Sequence, residues 1–203
     1  GSYRGINLLG PTLFQRISYL VYVTFAGHMI TLKPHPYESR PQYWPLLLDK
    51  CMIFSSFKNR TVVLNGSPLI YWPATFSLFI TLLAIISNRA DWRHLLLLLG
   101  WSFSYFPFFL IPRSMYLYHY LIPLIFSVMC QVAIIETLCY KNEFLKCFLF
   151  CSMIFCGLTS YIIWHPTIYG TFCEDCLRIR QWSKFWLDSS SDVKDDIDTN
   201  YTI

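Results

Sequence analysis

The stretch "LIYWPATFSLFITLLAIIS", residues 69–87, decides the fold class of this 203-residue chain. It contains no charged residue, and a helix that crosses the hydrocarbon core of a bilayer needs about 20 apolar residues. The run lacks the alternation of apolar and polar residues that a barrel strand shows. It therefore predicts a transmembrane helix, with Pro73 in the first turn, where a missing backbone N–H costs little.

Three further runs, residues 95–112, 120–140 and 144–164, have the same length and apolar character. Only 14% of the residues are charged, against about a quarter in ordinary globular domains, so lipid is the expected solvent. The sequence thus predicts an all-α integral membrane fold with four transmembrane helices. Pro107 and Pro123 are expected to kink or end their helices.

The segment "ISYLVYVTFAGHMITL", residues 17–32, is short for a span and contains polar residues. We predict an amphipathic helix in the membrane interface, with a true span as the alternative. The chain divides into a luminal or interfacial segment at residues 1–68, a four-helix region at 69–164 and a luminal tail at 165–203. The tail is polar and acidic from about residue 188 and is expected to be disordered there.

Two patterns predict the same membrane topology. The loops "NRADWRH" and "KNEFLK" each contain two basic residues outside His, whereas the loop "RSMYLYH" between them contains one, so the positive-inside rule places the first two in the cytosol. Glycosylation sequons occur at Asn59, Asn65 and Asn200, all on the terminal segments, although Pro68 follows the second sequon. Both ends of the chain are therefore expected in the lumen.

The segment "KPHPYESRPQYWPLL", residues 33–47, contains four prolines and is too rigid for a helix interior or a central strand. A stiff loop can hold His35, Arg40 and Trp44 at fixed positions. Arginine presents a planar fork suited to phosphate or carboxylate, and an indole can stack on a sugar. We interpret the three as candidate substrate-binding residues; a stiff lid that packs on the membrane surface is the alternative.

A second cluster lies in "PRSMYLYHYLIP", residues 112–123, between two predicted spans. Arg113, Tyr118 and His119 suit a lipid-linked phosphate, because charged residues at membrane depth are costly and usually functional. The alternative is an interfacial aromatic belt with Arg113 extended toward lipid head groups, and the residue types alone favour it.

Other polar residues carry weaker predictions. Glu136 with Gln131 is a candidate intramembrane site, but Glu136 is close to the predicted cytosolic boundary, and an interfacial role is favoured. Cys173 and Cys176 form a C-x-x-C that predicts a local disulfide in a luminal tail. No metal site is predicted, and the absence of a basic tract with stacking aromatics excludes nucleic acid as a partner.

Several motifs together resemble one family. They are "HPYESRPQYWPLL" (residues 35–47), "LNGSPLIYW" (64–72), "FSYFPFFLIPRSMYLYHYLIPLIF" (103–126), and "HPTIYG" followed by "RQWSKFW" (165–186). Their order and spacing resemble the C-terminal region of the protein O-mannosyltransferases, which are membrane glycosyltransferases of the GT-C type.

The resemblance implies that the complete protein transfers mannose from dolichyl phosphate mannose to Ser or Thr of secretory proteins. It implies the endoplasmic reticulum membrane as location, a dimer of related subunits, and no cofactor besides the lipid-linked donor. The acidic catalytic pair and the luminal MIR domain of the family are absent here, so no catalytic residue is assigned and the chain is interpreted as a fragment that is inactive alone.

The sequence departs from the family where relatives have Asn-Pro and this chain has "NGSP". The C-x-x-C tail is a further departure. Two alternatives remain: a non-catalytic partner that uses these helices to dimerise with a complete transferase, or an unrelated four-span structural or transport protein.

Overall fold

The computed structural model describes residues 12–29, 37–57 and 60–170. Five α-helices and one hairpin make up the regular structure of these residues. They are α1 (Leu13–Met29), β1 (Met52–Phe57), β2 (Arg60–Leu64), α2 (Pro68–Ile86), α3 (Trp92–Tyr105), α4 (Leu121–Leu138) and α5 (Glu143–Ile168). Three short 3₁₀ helices, Pro41–Leu46, Phe106–Leu110 and Leu117–Tyr120, connect or extend them.

Helices α2 and α4 pack closely because small residues line the face of α2 that α4 covers. The buried positions of α2 include Ala74, Ser77 and Thr81, which recur every three or four residues and therefore share one face. The Ser77 hydroxyl lies 2.6 Å from the Ala74 carbonyl and 3.2 Å from the carbonyl of Ser127 in α4. Small residues that let backbones approach, with hydroxyls bonded to carbonyls, are typical of helix packing in membranes.

Three of the helical segments are long and apolar enough to cross a membrane. They are Pro68–Ile86, Leu117–Leu138 and Glu143–Ile168. The structure divides the predicted span over residues 95–112 into two parts, because α3 ends at Tyr105 and the chain continues as the 3₁₀ helix Phe106–Leu110. Pro107 accounts for the change, since it cannot donate an α-helical hydrogen bond, so its predicted effect is confirmed.

The structure places Pro73 and Pro123 at other points of their helices than the sequence predicts. Helix α2 begins at Pro68 rather than Leu69, so Pro73 lies in the second turn. Pro123 lies in the first turn of α4, where its missing N–H leaves no α-helical hydrogen bond unmade, and α4 continues past it to Leu138. Helix α1 begins four residues before the predicted amphipathic segment, and nearly all its described side chains are exposed.

The prediction of an all-α fold missed a two-stranded antiparallel hairpin. Strands β1 and β2 pair from Met52 with Leu64 to Phe57 with Arg60, and a register shift between Ile53 and Ser55 leaves one extra residue on β1. The segment is rich in Val, Thr and Phe and is short, which favours a strand over a helix. A bulge of this kind bends the strand that contains it.

The bundle has two ends of different construction. At the docked end, which we define as the end where α2 and α4 begin and α3 and α5 finish, the Pro-rich loop packs over the helices. A buried cluster fills this end: Trp44, Leu47, Cys51, Val63, Tyr71, Tyr105, Leu117 and Tyr120. At the opposite end, short turns join α2 to α3 and α4 to α5. Helix α5 packs less extensively on the bundle than α2 and α4 pack on each other.

Candidate functional site

The structure brings the two predicted clusters together at the docked end. The backbone N–H of Ser39 donates to the carbonyl of Met115 over 2.8 Å. The Ser114 hydroxyl donates to Glu38 Oε2 over 2.8 Å. The Pro-rich loop therefore lies directly against the segment that re-enters the bundle between α3 and α4, although the two are about 75 residues apart in sequence.

Trp44 is the packing centre of this junction. Its side chain is only 1% exposed, and its Nε1–H donates to the Ser39 hydroxyl over 2.8 Å. The indole lies parallel to the His119 ring, with ring centres 6.1 Å apart, and meets the edge of Phe108 at 5.4 Å. Because the indole is buried in this way, its faces are covered by protein and it packs against His119.

His119 and Tyr118 form the polar surface above that centre. The His119 Nδ1 atom lies 3.0 Å from the carbonyl oxygen and 3.3 Å from the amide nitrogen of Tyr116, so this atom is engaged in either tautomer. The ring of Tyr118 stacks on His119 at 4.3 Å and is 38% exposed. Tyr118 thus presents an aromatic and hydroxyl surface that a ligand can reach.

The two arginines of the predicted site lie in different environments. Arg40 has an exposed side chain, and its backbone N–H donates to Asp49 Oδ2 over 2.8 Å. Arg113 is half-buried. Burial chiefly raises the pKa of the Tyr116 hydroxyl, the charges of Tyr118 and Glu38 raise it further, and Arg113 opposes them. Arg113 and Glu38 therefore both act electrostatically on the same tyrosine.

Side chains of the bundle fix the backbone of the loop. The Tyr105 hydroxyl donates to the Pro41 carbonyl over 2.8 Å. In α2, the Thr75 hydroxyl donates to the Pro45 carbonyl, and the Trp72 Nε1–H donates to the Leu46 carbonyl. Proline has no N–H to donate, so at Pro41 and Pro45 the loop is held through its carbonyl oxygens.

The arrangement combines an accessible cation, a half-buried cation, an exposed aromatic hydroxyl and a carboxylate on a rigid support. Such a surface suits an anionic group with polar substituents, because guanidinium groups bind phosphate oxygens and tyrosine binds sugar hydroxyls. Among residues 12–29, 37–57 and 60–170, no group of three His, Cys, Asp or Glu side chains is placed to hold a metal ion.

Comparison with known proteins decides the family. The model of the C-terminal four-transmembrane region of protein O-mannosyltransferase matches residues 13–186, which is most of the chain. The chain belongs to the protein O-mannosyltransferase family. This membership removes the alternative of an unrelated four-span protein.

Relatives in this family come from fungi and animals. Dolichyl-phosphate-mannose–protein mannosyltransferase 1 of Saccharomyces cerevisiae is 28% identical over 182 residues, with 76% of this chain and 22% of the relative covered. Protein O-mannosyl-transferase 2 of Danio rerio is 28% identical over 197 residues, with 81% of this chain and 26% of the relative covered. The chain thus spans about a quarter of the length of these protein O-mannosyltransferases.

A solved structure has the same fold. The Saccharomyces cerevisiae protein O-mannosyltransferase Pmt1–Pmt2 complex, bound to the sugar donor, matches with a TM-score of 0.71 and 23% identity. The match covers 87% of this chain and 27% of the other. The helical arrangement is therefore that of a protein O-mannosyltransferase membrane region.

Some predicted residues lie outside the part that the structure describes. They are His35, Asn59, Cys173, Cys176 and Asn200. The remaining sequon residue, Asn65, is half-buried between β2 and α2, and its buried Oδ1 atom has no hydrogen-bond partner among the residues that the structure describes.

For two carboxylates of the site, Asp49 and Glu38, the hydrogen-bond partners were not predicted from sequence. Asp49 closes the loop, because Oδ2 accepts from the Arg40 N–H and Oδ1 from the Lys50 N–H, both over 2.8 Å. Glu38 binds the re-entrant segment through Ser114. Neither residue has a spacing that signals its partner, since the contacts depend on how the loop folds back.

Cysteines in the described residues are free thiols. Cys51, Cys130 and Cys139 are buried, whereas Cys147 and Cys151 are exposed on α5 and Cys156 is half-buried. Burial raises the pKa of the Cys51 thiol to about 12. Cys51 is therefore held as an unreactive neutral thiol beneath the loop, in agreement with a packing role. Glu136 is exposed near the end of α4, as expected of an interfacial residue.

Proposed function

We propose that this chain is the C-terminal membrane portion of an enzyme that transfers mannose from dolichyl phosphate mannose to Ser or Thr of secretory proteins. The observation that carries the proposal is the family match over residues 13–186. Relatives named dolichyl-phosphate-mannose–protein mannosyltransferases support it. The reaction uses the lipid-linked donor as substrate and needs no further cofactor.

The proposal includes four membrane crossings, with α3 and its 3₁₀ extension as the second. Fourteen α-helical residues rise roughly 21 Å and five 3₁₀ residues rise about 10 Å, which together match the hydrocarbon core of about 30 Å. Four crossings put the docked end and both ends of the chain on one side. The charge and sequon patterns favour the lumen of the endoplasmic reticulum for that side. Helix α1 then lies in the luminal interface.

The docked end forms part of the luminal wall of the donor and acceptor site. Arg40 and Arg113 contribute positive charge for the donor phosphate, and Tyr118 and His119 contact the polar groups beside it. His35 belongs to the same loop and is included by its sequence position. Trp44 keeps His119 in place, as its buried stacking indicates. The carboxylate that deprotonates the acceptor hydroxyl is expected in a part of the enzyme outside this chain.

The test is mannosyl transfer by the complete enzyme in microsomes. Arg40→Ala and Arg113→Ala are each expected to lower transfer at least tenfold, with membrane insertion unchanged. Arg89→Ala is the matched control, because Arg89 is an exposed arginine at the opposite end. Arg40→Lys and Arg113→Lys should recover only part of the activity if bidentate phosphate binding is required. Wild-type transfer by both alanine variants would contradict the assignment.

The isolated chain gives a second test. It is expected to insert into membranes and show no mannosyl transfer, because it lacks the family's catalytic acidic pair. Transfer by the chain alone would show that a base is present within it, and Glu38→Gln would then identify whether Glu38 supplies it.

Assembly with a related subunit completes the proposal. The matching Pmt1–Pmt2 structure is a complex of two related transferases. A non-catalytic role as dimerisation partner remains the second candidate, and the same complex is the observation that favours it. Co-purification with a complete transferase, with no loss of transfer when Arg113 is changed to Ala, would select this candidate.

A further inference from the structure

A second cleft lies beside Tyr118. Its volume is about 260 Å³, and it is bounded by the start of α2, the start of α4 and the second half of α5. The lining on α5 extends from Gly157 to Ile168, which is roughly 16 Å along the helix axis. The cleft therefore extends from the interfacial end of α5 toward the middle of the membrane.

The chemistry of the lining is neutral. None of the described residues that line the cleft is Asp, Glu, Lys, Arg or His. Most of the lining is apolar, including Ile70, Leu121 and Leu124. A phosphate or carboxylate would enter this cleft without a counter-charge, which is costly away from water.

The lining includes the tyrosines Tyr71, Tyr118 and Tyr161, and its other polar side chains are those of Asn65, Ser67 and Ser160. Asn65 has a buried Oδ1 atom with no hydrogen-bond partner in the described structure. Next to it, the Ser160 hydroxyl of α5 is bonded to the Ser67 hydroxyl at the start of α2. Buried amide oxygens are nearly always bonded, so the Asn65 amide is an acceptor that lacks its donor.

The apolar part of the cleft has open space. A methyl group built on Gly157 meets no atom within 4 Å, so the protein itself does not fill the region beside this residue. The rim is exposed at Leu121 and Tyr161, which belong to helices long enough to cross the membrane. Lipid can therefore approach from between α4 and α5, which contact each other less than α2 and α4 do.

We propose that this cleft binds a neutral lipid with a hydroxyl head, whose O–H donates to the Asn65 side chain and whose apolar body lies along Gly157. The lining requires a ligand with three properties: a hydroxyl donor, no charge and an apolar body. Sterols and diacylglycerols both have them. The proposal does not depend on mannosyl transfer, and it assigns Asn65 as a lipid ligand rather than a glycosylated residue.

The test uses two photoreactive probes, a sterol and a diacylglycerol, with the chain in phosphatidylcholine nanodiscs. Labelling of peptides that contain Tyr118 or Tyr161 by either probe supports the site, and the probe that labels identifies the lipid. Labelling by neither probe overturns the proposal. Unlabelled lipid with the same head group as the probe should reduce the labelling, whereas phosphatidic acid and dolichyl phosphate should not. An equal reduction by either phosphate lipid contradicts the proposal.

Two variants locate the site. Gly157→Leu fills the open space, and Asn65→Leu removes the acceptor at similar volume; each is expected to lower labelling at least fivefold. Gly27→Leu is the matched control, because a methyl on Gly27 in α1 also meets nothing within 4 Å, and its labelling should equal wild type. Unchanged labelling of Gly157→Leu would overturn the proposal even if Asn65→Leu fails to fold.

Discussion

The docked end and the opposite end of the bundle are held by different kinds of contact. At the docked end, hydrogen bonds join residues far apart in sequence, such as Ser114 to Glu38 and Tyr105 to Pro41. At the opposite end, most bonds are local: Asn142 Oδ1 accepts from the Leu145 N–H, and Lys146 bonds to Glu143. Among the described residues, His94 is the only one whose side chain makes a hydrogen bond from α3 to α4 at this end, where it contacts Thr137 at 3.0 Å.

This difference separates the end that contains the candidate site from the end that only turns the chain. Local contacts form wherever a helix ends and need no particular partner. Long-range polar contacts must offset a larger loss of chain entropy, so their concentration at one end marks a surface that is kept in a fixed arrangement. The arginines and aromatics of the candidate site lie on that surface.

Removing the packing centre of the docked end is expected to have the largest effect. Trp44→Ala should lower the free energy of unfolding by about 3–5 kcal/mol, because it empties a fully buried indole site and leaves the Ser39 hydroxyl without its donor. The matched control at the opposite end is Trp92→Ala. Trp92 is 65% exposed, and its replacement should change stability by less than about 0.5 kcal/mol. Thermal unfolding in detergent measures the stability of both variants. Equal losses of stability would show that the two ends do not differ in packing.

Crowding the junction of hairpin and loop should have an intermediate effect. A methyl on Gly66 would overlap the Leu47 side chain and lie 3.0 Å from the Tyr71 ring, so Gly66→Ala should cost about 1–3 kcal/mol. A methyl on Gly157 meets no atom within 4 Å, so Gly157→Ala should leave the free energy of unfolding unchanged or raise it slightly. Chemical denaturation of the two variants side by side compares them, and a neutral Gly66→Ala would indicate that the docked end is loosely packed.

A pair of single-hydroxyl deletions separates stability from activity. Tyr105→Phe removes the bond to the Pro41 carbonyl, and Thr137→Val removes the bond to His94; each should cost about 1 kcal/mol. Mannosyl transfer by the complete enzyme should fall several-fold only for Tyr105→Phe, because that bond fixes the loop. Equal activity of the two variants would show that the loop position is not needed for transfer.

The smallest effect is expected at the surface of the opposite end. Lys146 pairs with Glu143 at 2.8 Å, but the carboxylate side is 76% exposed, so water screens the pair. Lys146→Ala should leave the unfolding midpoint and transfer unchanged. A measurable loss of stability would mean that this turn is packed against another part of the complete protein.

The sequence predicts the membrane helices better than the packing of the docked end, for a physical reason. Runs of apolar residues and their breaks determine α2, α4 and α5, and the effect of Pro107 follows from its missing N–H. The burial of Trp44 and the roles of Glu38 and Asp49 depend on tertiary contacts that no local pattern encodes. Trp44 illustrates the limit, since an indole in a rigid loop has the same signature whether it binds a sugar or fills a core.

The joining of the loop to the re-entrant segment also affects synthesis. Ser114 follows Glu38 by 76 residues, and translation adds about 5–20 residues per second, so the loop emerges roughly 4–15 s before its partner exists. During that interval Trp44 and the hairpin have no bundle to cover them. The prolines limit the conformations open to the waiting segment, and a chaperone on the same side of the membrane has a defined time window in which to bind it.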